Sequence, residues 1–388
     1  MRIGIVGAGI AGLATAAFLA RDGHAVEVLE RAERPSPMGA GLLLQPPGAR
    51  VLAELGVLEG VAAVASRITR LEARTPGGRT LLDLDYGLLA PGLHGLGLAR
   101  AAIWSAVLGA AERSGAVLMP GRSVAHVRDG EAPVARLENG EERTYDLLLV
   151  AAGTHTALRA AAQSRLYPWG CLWTTVALPP DWPGHVLGQR CVGTGVMLGV
   201  PPTGVAEGRC IGALYWSVRN DRMASWHRAP LADWHAAVAR AWPEAEALVA
   251  DLPREALNHA TYRDVWADPP HGQRVLLIGD AAHGTSPQLG QGTTQALRDA
   301  VALRDALRAE GPVPDRLRAY WAMRRGRTAY YRRASRALTP VFQSALPGLG
   351  ALRDVFAGPV GRIGFVRRQA LLTLVGAKTG VWSADPVG

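Results

Sequence analysis

The feature that most constrains this chain is its opening. An apolar run, Arg2-Ile3-Gly4-Ile5-Val6, meets the glycine-rich Gly7-Ala8-Gly9-Ile10-Ala11-Gly12, and an apolar stretch continues from about Ile10 to Arg21. Gly23 and a second apolar run, Ala25 to Leu29, follow and end at Glu30. The pattern predicts a strand, a tight turn, a helix and a second strand, one βαβ unit. The three glycines serve different ends. Gly7 permits the turn, Gly9 lets the backbone approach a pyrophosphate, and Gly12 lets the helix lie against the strand. Amides of the helix N-terminus, at Ile10 and Ala11, are unpaired and partly positive, which suits a phosphate. Glu30, with Arg31 beside it, is placed to accept hydrogen bonds from an adenosine ribose. An acid there selects a dinucleotide without a 2'-phosphate, which leaves NAD or FAD.

The chain has 388 residues, 48% hydrophobic and 19% charged, the range of one large or two modest globular domains. No apolar run reaches the length of a membrane span and no signal-peptide layout is visible, so a cytoplasmic protein without integral membrane association is expected. Cys171, Cys191 and Cys210 are odd in number and dispersed, which fits reduced thiols and predicts no metal site. The formal charge of +9 is nearly all arginine, with Lys378 the single lysine, and reads as compositional. The dense cluster Arg324, Arg325, Arg327, Arg332, Arg333 and Arg336 reads as a solvated helix face, and no nucleic-acid partner is expected.

Further along, a glycine-broken stretch, Gly39 to Pro47, reads as loop, followed by a short helix to Leu55. Residues 68 to 85 read as a hairpin about Gly77-Gly78, and a helix is expected from Arg100 to about Ser114. The run Ser123 to Leu149 reads as strand, turn at Asn139-Gly140, and strand. Residues 165 to 267 are rich in strands and tryptophan, which suggests a ligand-facing sheet. A buried strand, Arg274 to Ile278, then leads through a glycine-rich turn to a helix from Thr293 to Leu307. Helical segments broken at Pro340, Pro347 and Pro359 complete the chain.

That second turn narrows the choice of dinucleotide. The run Val275-Leu276-Leu277-Ile278-Gly279-Asp280-Ala281-Ala282-His283, continuing through Pro287, Gly290, Gln291, Gly292 and Thr293 to Asp299, resembles the GD motif of flavoprotein hydroxylases. With the N-terminal fingerprint and Arg100, the chain resembles the class A FAD-dependent monooxygenases, the para-hydroxybenzoate hydroxylase-like family. The resemblance implies an α/β fold: a Rossmann-like FAD-binding domain of the glutathione-reductase type, a β-rich substrate domain and C-terminal helices. It divides the chain into residues 1–70, 98–164 and 268–308 for FAD, 71–97 and 165–267 for substrate, and 309–388 as the helical region. A monomer or homodimer is expected.

The resemblance also implies roles. Asp280 would hydrogen-bond the ribityl or pyrophosphate part of FAD, although it also suits a helix N-cap. Gly290, Gln291 and Gly292 would run beside the isoalloxazine, Arg100 would meet the phosphates, and Gly39, Ala40 and Gly41 would form the loop at the flavin, with Gln45 beyond. Where the family commonly has Asp-Gly, this chain has Ala152-Gly153-Thr154-His155-Thr156 with Arg159 retained; Thr294 stands for a frequent Asn and Arg298 for a frequent Glu.

In this family NADH or NADPH reduces FAD, O2 adds at carbon 4a, and the hydroperoxide hydroxylates or epoxidises an aromatic or polycyclic small molecule. The catalytic base is not legible: His227, His235, Tyr215, Arg219 and His283 are candidates, and Trp169, Trp173, Met197 and Trp216 suit an apolar pocket. Two other readings stay open: a non-oxygenating FAD oxidoreductase on the same fold, and a basic nucleic-acid or membrane-surface binding protein.

Overall fold

The computed structural model describes residues 1–37, 39, 41–158 and 162–387. The expected first strand, helix and second strand are present as Arg2–Val6, Ile10–Arg21 and Ala25–Leu29. They lie in a five-stranded parallel sheet ordered Val275–Leu277, Leu147–Val150, Arg2–Val6, Ala25–Leu29, Val117–Met119. All four residues of Leu147–Val150 are buried, as a central parallel strand requires. The helix Ile10–Arg21 is buried from Ala11 to Leu19, because it packs against the helices Arg100–Arg113 and Gly292–Arg308. That explains a helix with almost no polar face.

A larger sheet of eight strands carries the middle of the chain. Its strands Gln163–Ala177, Arg209–Arg219 and Asn258–Trp266 pair antiparallel, and Arg70–Arg74 joins through a parallel pairing with Val186–Val192. One face is covered by three helices that the strand-rich composition did not predict, Met223–Arg228, Leu231–Ala241 and Glu246–Val249. Trp216, Trp234, Trp242 and Leu214 form a core between them.

Four expectations need correction. The run Ser123 to Leu149 forms four strands, three of them a separate antiparallel sheet; the turn at Gly140 (φ +87°) is where it was placed. Gly41–Leu44 is a strand paired with Gly95–Ala99, so the loop reading of Gly39 to Pro47 fails beyond Gly39. Pro340 and Pro359 lie inside the helices Val313–Phe342 and Leu349–Arg362, within their last turns, where the lost amide bond interrupts little; of the three prolines, Pro347 alone lies in a break, and a further break falls at Ile363. The arginine cluster is a solvated face only in part: Arg325, Arg333 and Arg336 are exposed, but Arg324 and Arg327 are buried, because Asp299, Asp385 and backbone carbonyls lie within reach of their guanidinium groups.

Candidate functional site, a dinucleotide cleft under a sheet face

The first glycine turn meets all three requirements that its spacing sets. Gly7 has φ +106°, and a Cβ there would lie 2.8 Å from the carbonyl oxygen of Ala151. A Cβ on Gly12 would stand 2.1 Å from the Gly7 carbonyl oxygen, so helix and turn meet with no room for a side chain. Around Gly9, by contrast, a Cβ would meet nothing within 4 Å, and Gly9 is exposed at the helix N-terminus. No side chain caps that helix, which leaves its first amides free for an anion. Glu30 Oε2 accepts the amide of Ala8 at 2.9 Å and Oε1 accepts that of Ala32 at 3.0 Å. Each oxygen keeps a lone pair for a ribose hydroxyl. Trp104 Nε1 donates to the Ala8 carbonyl at 2.8 Å and steadies the turn from outside, a contact the sequence did not reveal. Arg31 is exposed.

Across the sheet, the GD turn ends the adjoining strand. Gly279 has φ +59° and itself occupies the N-cap position, so Asp280 is the first residue of the short helix and caps nothing. The Asp280 carboxylate is exposed and has no hydrogen-bond partner among the described residues. A Cβ on Gly292 would lie 3.8 Å from its Oδ1, which sets this carboxylate at the start of the helix Gly292–Arg308. That helix also lacks a side-chain cap and an acidic residue in its first turn. Pro287 opens a single 3-10 turn, Gly290 is left-handed, Gln291 is buried, and Gly292 and Thr293 begin the helix.

Beneath this turn is a charge cluster of which the sequence showed only the parts. Asp299, fully buried, accepts the amide of Gly279 at 2.8 Å, pairs with His283 Nε2 at 2.6 Å and takes Arg324 Nε at 2.7 Å. Burial pushes its carboxyl up, but His283 and Arg324 outweigh this and hold it well below the usual carboxylate range. Ser286 bonds to the hydroxyls of Ser335 and Thr339, and Gln288 donates to Gln343, so the end of the helix Val313–Phe342 clamps the loop. His283 also lines a cavity of about 380 Å³ with Trp266, Tyr320 and Arg325, which neither Tyr215 nor Trp173 reaches.

Three buried polar atoms near the two helix starts lack partners: Gln45 Nε2, Gln291 Oε1 and Gln295 Nε2. Gln45 is fixed by Tyr86, whose hydroxyl donates to its Oε1 at 3.0 Å, while the Gln45 backbone N–H donates to Thr294 Oγ1 at 3.3 Å. Thr294, in place of the frequent Asn, thus holds the strand end carrying Gln45. Arg298 reaches Asp385 at 3.1 Å, and burial with the neighbouring Arg327 and Arg324 lowers its pKa to about 10. Gly153 has φ +74° beside half-buried Ala152; Ala40 and Arg159 lie outside the described residues.

The two faces of the large sheet divide the other candidates. Trp173 pairs with Tyr215 and so shares its face, whereas Trp216, the chain neighbour of Tyr215, points to the other. Trp216 packs edge-on against Trp234, 6.3 Å between ring centres, in the core under the helices, and is no pocket residue. His227 is exposed on the first of those helices against Trp226, and His235 lies on the second; neither shares the Tyr215 face. Arg219 pairs with exposed Asp221 and covers Trp169.

On the Tyr215 face stand Met197, in a cluster with Cys191 and Phe342, and Tyr262, whose hydroxyl donates to Cys171 Sγ at 2.7 Å. Tyr215 accepts from Gln189 Nε2 at 2.5 Å, and burial raises its pKa. Trp173 is half-buried and Thr175 and Ala177 are exposed, so this part of the face is uncovered. It adjoins the strand beside the first sheet: a Cβ on Gly41 would lie 2.3 Å from Thr203 and 3.2 Å from the Cβ of Ala213. Arg100 is exposed beside Gly39 and close enough to Tyr262 to lower its pKa against the larger raising effect of burial.

Comparison with known proteins agrees with this geometry. A family model described as FAD binding domain matches residues 1–331. The chain is 30% identical over 373 residues to kynurenine 3-monooxygenase of Salinispora tropica, covering 84% of this chain and 77% of that protein. It is 30% identical over 369 residues to 3-amino-4-hydroxybenzoate 2-monooxygenase of Streptomyces cremeus, covering 88% of each. Its fold superposes on 2-methyl-3-hydroxypyridine-5-carboxylic acid oxygenase with a TM-score of 0.80 at 19% identity, over 99% of this chain and 98% of that one. The chain therefore belongs to the FAD-binding class A flavin-dependent monooxygenases, the para-hydroxybenzoate hydroxylase-like family.

Proposed function

We propose that this FAD-dependent monooxygenase hydroxylates a small electron-rich aromatic ring held between the flavin and the open part of the Tyr215 face. The observation that carries the reading is that patch, with half-buried Trp173 and exposed Thr175 and Ala177, next to the buried Ala213 that Gly41 approaches. Two of the relatives are named for aromatic substrates, kynurenine and 3-amino-4-hydroxybenzoate, and the second is an aminophenol, the kind of ring that accepts electrophilic oxygen.

Bound FAD supplies electron transfer from NAD(P)H and the activation of O2. The chain's own residues hold and shield it. Free amides at Ile10 and Ala11 would hold the pyrophosphate, Glu30 the adenosine ribose and Asp280 a hydroxyl of the chain between them. The uncapped start of the Gly292 helix would bring partial positive charge to the flavin ring, which favours negative charge there. Gln45 Nε2, unpartnered, would be a donor for a flavin oxygen. Tyr215, which already accepts from Gln189, has its own proton to donate and orients the substrate; its raised pKa makes it no base at neutral pH. His283 orders the GD turn through Asp299. The division into residues 1–70, 98–164 and 268–308 for FAD, 71–97 and 165–267 for substrate and 309–388 as a helical region accompanies this reading, with the end of the helix Val313–Phe342 clamping the flavin loop.

The test is the visible spectrum of purified protein, with NADH or NADPH added anaerobically and then air. Bleaching of bound FAD, and reoxidation whose peroxide yield falls as an aminophenol or phenol from a panel is hydroxylated, supports the reading. Reduction without product from any ring, with a different acceptor consumed, moves the chain to the non-oxygenating alternative.

A further inference from the structure

We propose that the outer face of the helix Leu349–Arg362 and its junction with the helix Gly364–Leu374 docks on an anionic lipid surface. The helix Leu349–Arg362 is amphipathic with its sides reversed. Toward the protein it turns Gly350, Arg353 and Gly358; a Cβ on Gly350 would lie 3.1 Å from Gly193 Cα, and one on Gly358 2.6 Å from the Thr80 carbonyl oxygen. Toward solvent it turns Leu352, Val355, Phe356 and Val360, spaced as one helical stripe and 56%, 51%, 55% and 43% exposed. Ile363 and Phe365 carry the stripe across the junction at 54% and 60% exposed. Scattered exposed apolar side chains are ordinary, but six large ones on one continuous face mark an interaction surface.

Charge decides the occupant. Between Asp354 and Asp385 the chain has no acidic residue, while Arg362, Arg367 and Arg368 fall inside the interval; Lys378, also in it, is buried and donates to Gln369 and the Val381 carbonyl, so it adds no surface charge. Arg362, the last residue of the helix that carries the stripe, and Arg368, one turn after Phe365, are exposed, and Asp354 is engaged by Arg353. A second copy presenting the same face would bring cations to cations. Phosphate headgroups supply the missing counter-charge, and the acyl boundary takes the leucine and phenylalanine side chains. A groove of about 270 Å³ between Val341, Leu349, Leu352 and Phe356 adds room for part of an acyl chain. No helix among the described residues is long and apolar enough to cross a membrane, so the association is interfacial and reversible.

The test is flotation of the full-length, FAD-loaded protein with vesicles of phosphatidylcholine alone or mixed with phosphatidylglycerol. The protein is expected to float with the mixed vesicles and to be released by salt. Replacing Phe356 and Phe365 together by Ser should weaken binding by at least about a hundredfold. Replacing Arg362 and Arg368 together by Gln should weaken it by about twentyfold. The arginine pair lies outside the core, so it tests the proposal even where the double serine variant unfolds; flavin spectrum and Tm of that pair should match wild type. Protein that stays at the bottom of the gradient with both vesicle types overturns the proposal. So does flotation undiminished by the arginine substitutions, or a concentration-dependent dimer in sedimentation velocity that the serine substitutions abolish, which would give the face to a second copy.

Discussion

His283 Nε2 stands 2.6 Å from Asp299 Oδ2, the same oxygen that accepts the amide of Gly279. With Arg324 on the other oxygen, one buried carboxylate ties the turn after the strand Val275–Leu277, the short helix Asp280–His283 and the helix Val313–Phe342 into a unit. The acid lies on the helix Gly292–Arg308, so a structural ion cluster fixes the GD turn and that helix together.

Replacing Asp299 by Asn should cost about 3–5 kcal/mol in urea unfolding, because it leaves the buried Arg324 charge without its counter-ion. The pH dependence follows from the lowered carboxyl pKa. A depressed folded-state pKa gives stability that is fully present above the unfolded value and is lost as pH falls through the folded one. The gap between wild type and D299N should therefore stay constant from neutral down to about pH 4 and narrow only below that. A gap that closes already between about pH 7 and 5 would overturn the assignment to a carboxylate of depressed pKa.

Gly9 and Gly12 should fail in opposite ways. G12A places a Cβ 2.1 Å from the Gly7 carbonyl oxygen, so its apoprotein should lose about 1–3 kcal/mol of stability. G9A fills only open space, and its apoprotein should melt within about 0.5 kcal/mol of wild type. Its affinity for FAD should nonetheless fall at least about tenfold, since the side chain occupies the approach to the pyrophosphate. Melting curves of both apoproteins, followed by fluorescence titration with FAD, separate the two effects.

Asp280 has an exposed carboxylate that bonds to nothing among the described residues, so D280A should leave apoprotein stability within about 0.5 kcal/mol of wild type. FAD should bind about tenfold more weakly, the worth of one charge-assisted hydrogen bond. Unchanged affinity would remove Asp280 from the cofactor site.

The three cysteines should react unequally. Burial pushes the thiols of Cys171 and Cys191 up to about 11, in Cys171 against the opposing hydrogen bond from Tyr262, while Cys210 is exposed. At neutral pH a thiol-specific chromophoric disulfide should titrate one thiol rapidly in the native protein and the other two only in denaturant. Rapid labelling of two or three thiols would mean that the Tyr215 face opens in solution.

The glycine turns were legible because their requirement is local. A positive φ at Gly7 and a close approach at Gly12 are properties of a few adjacent residues, and the spacing records them directly. Trp216 and Trp173 were not separable in this way. Both are strand tryptophans, and the sequence around each suits an apolar pocket; only the pairing of Trp173 with Tyr215 shows that Trp216 lies in the helix-covered core and Trp173 on the opposite face. Composition likewise hid the helices between residues 223 and 249, since tryptophan-rich segments suit either strand or helix when both pack on the same core.

By itself, then, the sequence determined the first parallel unit, the acid at Glu30, the GD turn and through them the dinucleotide. Tertiary structure alone decided which side chains share a face, that Arg324 and Arg327 are buried partners of Asp299 and Asp385, and that Leu352 to Phe365 carry an outward apolar stripe. The reason is physical. Backbone conformation is set by neighbours along the chain, whereas burial, ion pairing and exposure depend on what residues tens or hundreds of positions away leave room for.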